Sequence, residues 1–293
     1  MKIAVFGQFY QQSSGKPVKI LLDYLQKKKV AVFIEFSFYK KIKACETFKN
    51  YSPFATYKKL DSSFDLLISI GGDGTILRAS TLVKDTNIPI VGINTGRLGF
   101  LATIQNQEIT YAIDQILNGN YHVSNRSVLS IKTTPENPKL VKQNFALNEI
   151  AVSRKNTTSM ITVETRLNNE YLTSYWSDGL IVSTPTGSTG YSLSCGGPVL
   201  TPDTDSFILT PIAPHNLSAR PLVIKDSTKI ELRVSGREDT YLVSLDSRIA
   251  TLTNDTVITI EKAPFIIKMI ELHHESFLDT LRKKLLWGED KRN

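Results

Sequence analysis

A continuous apolar segment that ends in a glycine-rich turn constrains the fold of this chain most. Leu66-Leu67-Ile68 leads into Ser-Ile-Gly-Gly-Asp-Gly-Thr at positions 69–75, and the apolar pair Ile76-Leu77 follows. Such a run bounded by glycines is typical of a strand inside a sheet, and the turn predicts the start of a helix. Backbone N–H groups at a helix start suit phosphate, and glycines let the backbone approach a ligand closely. Taken alone, the motif fits an ordinary Asp-Gly turn equally well.

The carboxylate in this turn, Asp73, is unusual beside a phosphate because the two negative charges repel each other. Its presence is explained if Asp73 removes a proton during a reaction or holds a metal ion beside the phosphates. Neither common phosphate cradle is present in the sequence. The chain has no Gly-x-x-x-x-Gly-Lys-Ser/Thr, and Leu77 stands where Gly72-x-Gly74 would need its third glycine. Phosphate binding is therefore predicted through a different loop.

The first hundred residues alternate between strand and helix patterns. Predicted strands cover 2–7, 30–36, 65–70 and 88–93, and predicted helices begin at Pro17 and cover 75–83. This alternation predicts a parallel, doubly wound, Rossmann-like sheet, in which ligands bind at the carboxyl ends of the strands. The glycine turn lies at such an end, and so does the segment Asn94–Phe100 after the fourth strand. We therefore expect both loops to face one crevice.

The pattern becomes β-rich after residue 103. A helix around 109–117 ends at Asn118-Gly119, and Asn168-Asn169 is typical of a hairpin turn. Predicted strands cover 128–133, 145–152, 160–167, 170–174, 180–183, 207–209, 229–234, 241–245, 256–261 and 265–271. Short strands at this spacing predict an antiparallel sandwich-like domain. We expect an α/β domain over 1–103, joined by a C-terminal helix within 272–293 that packs back on it, and a β domain over 104–271.

Composition excludes several classes of protein. The 293 residues carry a net charge of +7, with 41% hydrophobic and 22% charged residues, as in a soluble globular protein. No apolar run approaches the roughly 18–20 residues of a membrane span, and the N-terminus lacks a signal-peptide pattern, so a cytoplasmic location is expected. The two cysteines are expected to be free thiols, and no His/Cys spacing predicts a zinc site. The lysines fit solvated helix faces, so neither a nucleic acid nor a membrane is expected as a partner.

A second set of polar motifs lies in the β-rich half. Eight hydroxyl side chains fall within residues 183–194, with two glycines and one proline among them. Asp178 and Tyr191 frame this stretch. This composition predicts an extended loop that could cradle a nucleotide's sugar and phosphates, although a polar surface loop fits it as well. Asn148-Glu149 is a polar pair in an apolar setting that would suit the two hydroxyls of a ribose. An exposed strand edge explains this pair equally well.

Taken together and in order, these motifs resemble those of the bacterial NAD kinases. The matching segments are Gly71–Thr75, Asn94–Phe100, Asn148-Glu149, Ser177–Gly179, Thr184–Tyr191, Pro214–Leu222 and Leu281–Gly288. The resemblance covers nearly the whole chain. Lipid kinases and phosphofructokinases share turns like the first segment, whereas the ordered set is specific.

The resemblance implies a reaction and a catalytic residue. It implies that the γ-phosphate of ATP is transferred to the 2′-hydroxyl of the adenosine ribose of NAD, which forms NADP and ADP. Asp73 matches the general base of the family, and a carboxylate within reach can take the alcohol's proton as the new P–O bond forms. Magnesium is expected to arrive with ATP rather than in a protein cage. A homotetramer or homodimer is also implied.

The resemblance implies binding residues position by position. Those matched to phosphate contacts are Gly72, Gly74 and Thr75. Those matched to the ribose of NAD are Asn148 and Glu149. Those matched to the ring ends of the dinucleotide are Phe100 at the adenine, Thr189, Gly190 and Tyr191 around adenine and nicotinamide, and Asp178 on the nicotinamide side, often from a neighbouring subunit. The remaining candidates are Arg78, Trp176, Thr186, Ser188, Ser192, Ser194, Asp246 and Arg248.

Three positions depart from the commonest family pattern. Gly190 stands where many members have alanine, which changes the width of the pocket slightly. Trp176 stands where many have arginine, which puts a charge contact to the dinucleotide in doubt. Asp246-Ser247-Arg248 stands where many have Asp-Gly-Gln, so a cation is expected in place of a carboxamide. None of the three removes Asp73.

Two other functions fit parts of the pattern. A lipid kinase would share the glycine turn and the two-domain plan but would not be expected to carry Asn148-Glu149 or the hydroxyl-rich segment. A non-catalytic NAD-binding sensor would keep the pocket and lose the base, whereas Asp73 is present.

Overall fold

The structure is a computed structural model that describes residues 1–8, 15–49, 51, 53–96, 98–156, 159–273 and 276–287. The motif residues Arg97 and Gly288 lie outside the described residues. The chain forms two compact units, one of Met1–Asn125 with Ile267–Asn293 and one of Arg126–Ile266. We number helices and strands along the chain.

Among its described residues, the first unit contains a seven-stranded sheet and five α-helices. The strands are β1 (Lys2–Gly7), β2 (Ala31–Glu35), β3 (Ala55–Tyr57), β4 (Leu66–Gly71), β5 (Ile90–Asn94), β6 (Tyr121–Arg126) and β19 (Ile267–Leu272). The helices are α1 (Gly15–Lys27), α2 (Phe36–Lys43), α3 (Asp73–Val83), α4 (Ile109–Leu117) and α7 (Phe277–Leu285). The strand order is β3-β2-β1-β4-β5-β19-β6.

The sheet of the first unit is the expected parallel one. Strands β1 to β5 pair in parallel, and every residue of β4 is buried. Helix α1 buries Val18, Leu21, Leu22 and Leu25 against this sheet, at the spacing of one helical face. Because parallel strands end at one edge of a sheet, the residues after β4 and β5 lie side by side. The fold predicted for this half is confirmed.

The second unit contains, in the part of it that the structure describes, two six-stranded sheets. Its strands are β7 (Leu129–Thr134), β8 (Phe145–Ala146), β9 (Glu149–Arg154), β10 (Ile161–Leu167), β11 (Glu170–Ser177), β12 (Gly179–Ser183), β13 (Ser206–Ile212), β14 (Leu222–Lys225), β15 (Ile230–Gly236), β16 (Thr240–Leu245), β17 (Arg248–Thr253) and β18 (Val257–Lys262). Two short helices also occur, α5 (Pro138–Val141) and α6 (Tyr191–Ser194).

These sheets form the expected antiparallel sandwich. One sheet has the order β11-β10-β15-β18-β7-β8 and the other β14-β13-β12-β9-β16-β17. Alternate residues of both sheets form one apolar core, with Val163 and Leu232 from the first and Val182 and Phe207 from the second. The predicted hairpin at Asn168-Asn169 is present, and both residues have the positive φ of a tight hairpin turn.

Three expectations differ from the structure. The strand predicted over 145–152 is two strands, because β8 pairs with β7 in one sheet and β9 pairs with β12 in the other. The strand predicted over 265–271 belongs to the parallel sheet, where β19 pairs with β5. Apolar periodicity identifies a strand but carries no information about which sheet the strand joins. Because β19, α4 and β6 belong to the first unit, the boundaries between the two units along the chain fall at 125/126 and 266/267, rather than near 103 and 272 as expected.

Gly179 of the Ser-Asp-Gly motif is required by packing. It lies in the central strand β12, opposite Ser153 on one side and Ile212 on the other. A Cβ at this position would overlap the carbonyl oxygen of Val152, which is backbone and cannot rotate away. We expect Gly179→Ala to lower the free energy of unfolding by about 2–3 kcal/mol, the cost of overpacking a rigid site. Urea denaturation measures this.

The control for this prediction is Gly236→Ala, at the exposed end of β15. A Cβ there would lie 3.3 Å from the side chain of Ile161, which can adjust. We expect a change below about 0.5 kcal/mol for this control, as for an ordinary surface substitution. Equal effects of the two substitutions would contradict the packing argument.

Candidate functional site

Asp73 is the first residue of α3, and its carboxylate is held by the backbone after β5. Its Oδ2 accepts the N–H of Phe100 at 2.8 Å, and its Oδ1 accepts those of Leu101 at 3.0 Å and Ala102 at 2.9 Å. A carboxylate offers about four acceptor positions, two on each oxygen. Three are used here, so one position remains on Oδ2.

The two loops at the ends of β4 and β5 are therefore joined by this carboxylate. Gly99 passes so close to Asp73 that a Cβ at position 99 would overlap the carboxylate. Asn94 supports the second loop, because its side chain accepts the N–H of Gly96 at 2.7 Å and donates to the carbonyl of Ala102 at 3.2 Å. The expectation that both loops lie together is met within the first unit.

The turn around Asp73 has the geometry of an open helix start. Gly72 is the N-cap of α3, and as a glycine it has no side chain that could bind the first N–H groups of the helix. Thr75 is buried beneath the turn. A Cβ added to Gly72 or Gly74 would meet no atom within 4 Å, so both glycines border open space. Arg78 is exposed one turn further along α3. This arrangement can accept an anion at the backbone N–H groups of the first turn.

Phe100, the predicted wall of an adenine pocket, is half-buried. Its backbone N–H binds Asp73, and the Lys284 ammonium of α7 lies 5.7 Å from its ring centroid. Helix α7 thus contributes to the surroundings of this loop. Its Leu281 is 4% exposed within the first unit.

In the second unit, Asn148 and Glu149 lie where the chain passes from β8 in one sheet to β9 in the other. Among the described residues, six buried side-chain polar atoms have no hydrogen-bond partner, and three of them belong to this crossover or to the segment 183–194: Asn148 Oδ1, Glu149 Oε2 and Thr186 Oγ1. Buried polar groups are nearly always paired in folded proteins, since an unpaired one is destabilising. Three such atoms in one place indicate that a polar ligand completes them.

Glu149 is electrostatically destabilised in its charged form. Burial, together with the nearby Asp246 carboxylate, raises its pKa from 4.5 to about 7, against the opposing effect of the hydrogen bond from the N–H of Tyr191. A Cβ on Gly190 would lie 3.0 Å from Glu149 Oε2, so glycine keeps the space beside this oxygen open. Perturbed carboxyl groups of this kind are enriched in binding and catalytic sites.

Asp246, predicted as a ligand residue, faces the protein instead. Its side chain is 2% exposed, and its oxygens accept the N–H groups of Leu147, Asn148 and Glu149 at 3.1, 2.8 and 3.2 Å. Burial raises the pKa of this carboxyl, and those N–H donors and Arg248 oppose the shift. Arg248 lies 3.7 Å from Asp246 and donates to the carbonyls of Gln143 and Phe145.

The hydroxyl-rich segment 183–194 is compact, and the expectation of an extended loop is wrong. It forms a 3-10 turn over Thr186–Thr189 and then α6. Several of its hydroxyls bind the protein itself. Those hydrogen bonds are Thr184 to the carbonyl of Leu147, Thr189 to that of Thr186, Ser188 to that of Leu200, and Ser192 with Thr210. Hydroxyl content alone could not distinguish these internal bonds from ligand contacts.

Trp176 and Asp178 lie around the bend between β11 and β12. Asp178 forms an ion pair of 2.9 Å with Arg154, and Trp176 is 51% exposed with its ring 4.3 Å from that of His215. A cavity of about 310 Å³ beside Trp176 is lined partly by Arg220 and Pro214. The motif Pro214–Leu222 therefore lies beside Trp176. The sequence alone did not predict this contact, because the two segments are far apart along the chain.

Two negative observations apply to the described residues. In that part of the chain, no three His, Cys, Asp or Glu side chains form a group that could hold a metal ion. Among the helices that the structure describes, none combines the length and apolar character that a membrane span needs.

Glu149 generates a prediction about stability. An acid whose pKa is raised by folding binds its proton more tightly in the native state, so stability falls as pH rises from 4.5 to about 7 and stays lower above it. Glu149→Gln removes this loss. We expect the variant to gain about 3 kcal/mol over the parent at pH 8 and to match it near pH 4. Urea denaturation across this pH range measures the difference.

The control substitution is Glu136→Gln, at an exposed position of the same unit. It should give no pH-dependent gain. A constant difference between Glu149→Gln and the parent at every pH would contradict the assigned burial of the Glu149 charge.

Comparisons with known proteins identify the family of this chain and agree with its two-domain fold. A family model described as the ATP-NAD kinase N-terminal domain matches residues 13–121, and one described as the ATP-NAD kinase C-terminal domain matches residues 147–272. An NAD kinase of Christiangramia forsetii is 59% identical over 294 residues, and the alignment covers 100% of both proteins.

Two solved structures have similar folds. One is an NAD kinase from Archaeoglobus fulgidus in complex with ATP, with a TM-score of 0.76, 29% identity and coverage of 98% of this chain and 99% of that one. The other, a yeast NADH kinase complexed with NADH, has a TM-score of 0.86 and covers 100% of this chain and 89% of its own. At 21% identity, it bears on the fold alone. The lipid-kinase alternative is set aside, and the chain belongs to the NAD kinase family.

Proposed function

We propose that this chain transfers the γ-phosphate of ATP to the 2′-hydroxyl of the adenosine ribose of NAD, forming NADP and ADP. Family membership supports the reaction. The observation that carries the assignment of sites is the set of unpaired buried atoms, Asn148 Oδ1, Glu149 Oε2 and Thr186 Oγ1. Ribose hydroxyls are suitable partners because each can donate one hydrogen bond and accept others.

In this proposal Asp73 is the general base. Its Oδ2 takes the proton of the 2′-hydroxyl, the hydroxyl oxygen forms a bond to the γ-phosphorus, and the bond to the β-phosphate oxygen breaks to release ADP. The three backbone N–H groups fix the direction of the carboxylate and leave one acceptor position on Oδ2 for the substrate proton. Asp73 thus acts as an oriented group rather than a freely rotating one.

The first unit supplies phosphate contacts in this proposal. Gly72 and Gly74 present the open backbone of the α3 start, Thr75 supports it from beneath, and Arg78 adds positive charge. Magnesium bound to ATP would neutralise phosphate charge, since Mg²⁺ prefers phosphate oxygens with one or two carboxylates. Phe100 would pack against the adenine.

The second unit supplies the contacts to NAD. Asn148 and Glu149 bind the ribose, and Thr189, Gly190 and Tyr191 lie around the ring ends of the dinucleotide. We assign Thr186 and Ser194 to polar ligand contacts. We assign Ser188 and Ser192 to the support of the segment, because their hydroxyls already bind Leu200 and Thr210.

The remaining proposals concern assembly and location. Asp178 and Trp176 would contact the nicotinamide side of an NAD molecule held by a neighbouring copy, in a homodimer or homotetramer. Trp176 is half-exposed and packs against His215 with its ring tilted by 43°, and its exposed ring surface suits a flat aromatic ring. We propose a cytoplasmic location, where NAD and ATP are both available.

The direct test is an assay of the purified protein with Mg²⁺-ATP and NAD, in which an NADP-specific dehydrogenase detects the product. Formation of NADP is the expected result. A folded protein that binds NAD and forms no NADP would favour the non-catalytic sensor instead.

We expect Asp73→Asn to lower turnover by roughly 10²–10⁴-fold, the usual contribution of a general base. The amide would also place N–H donors against the backbone N–H groups of 100–102, so loop disruption must be separated from lost basicity. Gly99→Ala is the matched control, because its Cβ displaces the same carboxylate without changing its chemistry. Steady-state kinetics of both variants make the comparison.

The two variants should differ in the turnover that remains. Gly99→Ala keeps the carboxylate and should retain more turnover than Asp73→Asn, which has no base at this position. Undiminished turnover of Asp73→Asn would remove Asp73 from the mechanism.

Glu149→Gln should weaken the binding of NAD more than that of ATP. The carboxamide keeps the shape of the side chain but replaces one acceptor oxygen with a donor. Isothermal titration with each nucleotide, at pH 8 where the Glu149 carboxylate of the parent is ionised, measures both affinities. Equal weakening of NAD and ATP would refute the assignment of Glu149 to the ribose.

A further inference from the structure

We infer that the turn Asp246-Ser247-Arg248 positions Asn148 and Glu149 for NAD by clamping the backbone of residues 143–149, and that neither Asp246 nor Arg248 contacts the nucleotide. We call these three residues the β16–β17 turn. The inference rests on the proposed role of Asn148 and Glu149 in holding the ribose.

The clamp is needed because the chain changes sheets at this point. Between β8 and β9 the residues Leu147 and Asn148 leave one hydrogen-bonded ladder before they reach the next. Backbone N–H groups in such a crossing have no strand partner, and burying them unpaired is destabilising. The Asp246 carboxylate accepts all three N–H groups of 147–149, and its own N–H donates to the carbonyl of Glu149 at 3.0 Å.

The carbonyls of the crossing are bound from the opposite side. Thr184 donates its hydroxyl to the carbonyl of Leu147 at 2.6 Å and its N–H to that of Asn148 at 2.9 Å. The crossover is therefore held by two residues: the Asp246 carboxylate accepts its N–H groups, and Thr184 donates to its carbonyls. The directions of the Asn148 and Glu149 side chains follow from this fixed backbone.

Arg248 extends the clamp to the residues before the crossing. Its Nη1 donates to the carbonyl of Gln143 at 2.8 Å, and its Nη2 donates to that of Phe145. The guanidinium also lies 5.3 Å from the ring centroid of Phe145 and 3.7 Å from Asp246. The cation thus binds carbonyls ahead of the crossing while the anion binds N–H groups within it, and each partly offsets the buried charge of the other.

These contacts argue against the alternative in which both residues are ligands. Asp246 has a 2% exposed side chain, and both of its oxygens accept backbone hydrogen bonds. Both terminal nitrogens of Arg248 already donate to carbonyls. The Asp246 carboxylate is thus enclosed by protein, and the Arg248 guanidinium is directed at the carbonyls of Gln143 and Phe145, although it keeps further N–H groups.

The test compares Arg248→Met and Arg248→Lys with the matched change Arg233→Met, at an exposed arginine on β15 of the same unit. We expect Arg248→Met to raise the KM for NAD about tenfold with little change in the KM for ATP, since a disturbed ribose contact acts on one substrate alone. Arg248→Lys should recover part of this loss, because an ammonium can reach one carbonyl but cannot form the fork. Arg233→Met should change neither constant.

A double-mutant cycle separates positioning from direct contact. If Arg248 acts through Glu149, then Arg248→Met should add little to the loss of NAD affinity in Glu149→Ala, and the two effects will be non-additive. Additive effects on NAD affinity would show an independent contact and would overturn the inference.

Hydrogen exchange provides a readout that does not depend on catalysis. In the parent without nucleotide, the amides of 147–149 should exchange slowly, and Arg248→Met and Asp246→Asn should accelerate them selectively. Unchanged exchange at these amides in both variants would overturn the clamp, whatever the protein phosphorylates. Failure of the parent to bind NAD, with the expected exchange result, would refute the proposed function and leave the clamp established.

Discussion

Both units of this protein depend on the same interaction, in which one carboxylate accepts three consecutive backbone N–H groups from a distant segment. Asp73 binds the N–H groups of 100–102, and Asp246 binds those of 147–149. Charge-assisted hydrogen bonds of this kind are stronger than neutral ones. Each segment leaves a strand and turns sharply, so its N–H groups lack ladder partners. The carboxylate supplies the hydrogen-bond acceptors that a neighbouring strand would otherwise supply. It thereby fixes the loop that carries candidate functional residues.

The two carboxylates differ in what they leave available. Asp73 is half-buried with one acceptor position still open on Oδ2, which suits a group that meets a substrate. The Asp246 side chain is almost fully buried and is balanced by Arg248, which suits a structural anion. Burial and the neighbouring cation, rather than the number of accepted hydrogen bonds, therefore distinguish a chemical role from a supporting one, since each carboxylate accepts three N–H groups.

Much of the fold could be predicted from the sequence because local patterns carry it. The apolar faces of α1 and β4 and the paired asparagines of the β10–β11 hairpin are local features, and each was identified. The sheet that each strand joins depends on contacts between residues far apart in sequence, so periodicity could not separate β8 from β9 or place β19. Strands β3, β6, β14 and β17 were not identified at all.

The site was predictable in outline for the same reason. Motif composition located Asp73, which has an open acceptor position, and Asn148, Glu149 and Thr186, each of which has an unpaired buried atom. It could not show that the hydroxyls of Ser188 and Ser192 bind the protein, since hydroxyl groups serve ligands and backbone equally well. It also could not show that Asp246 faces inward, because the direction of a turn side chain depends on the segment packed against it.

The departures from the family pattern have different consequences once these roles are separated. Arg248 binds the carbonyls of Gln143 and Phe145, so a cation at this position changes how the crossover is held and leaves the ligand-facing side chains in place. Trp176 is half-exposed and packs in a tilted contact against His215 beside a cavity, so an aromatic ring in place of a cation changes the surface that a ligand or a neighbouring copy would meet. The departure at Arg248 changes how the backbone of the crossover is held, and the departure at Trp176 changes an exposed surface. An aromatic ring there offers stacking where a guanidinium would offer charge, so electrostatic attraction to an anionic dinucleotide must come from other residues.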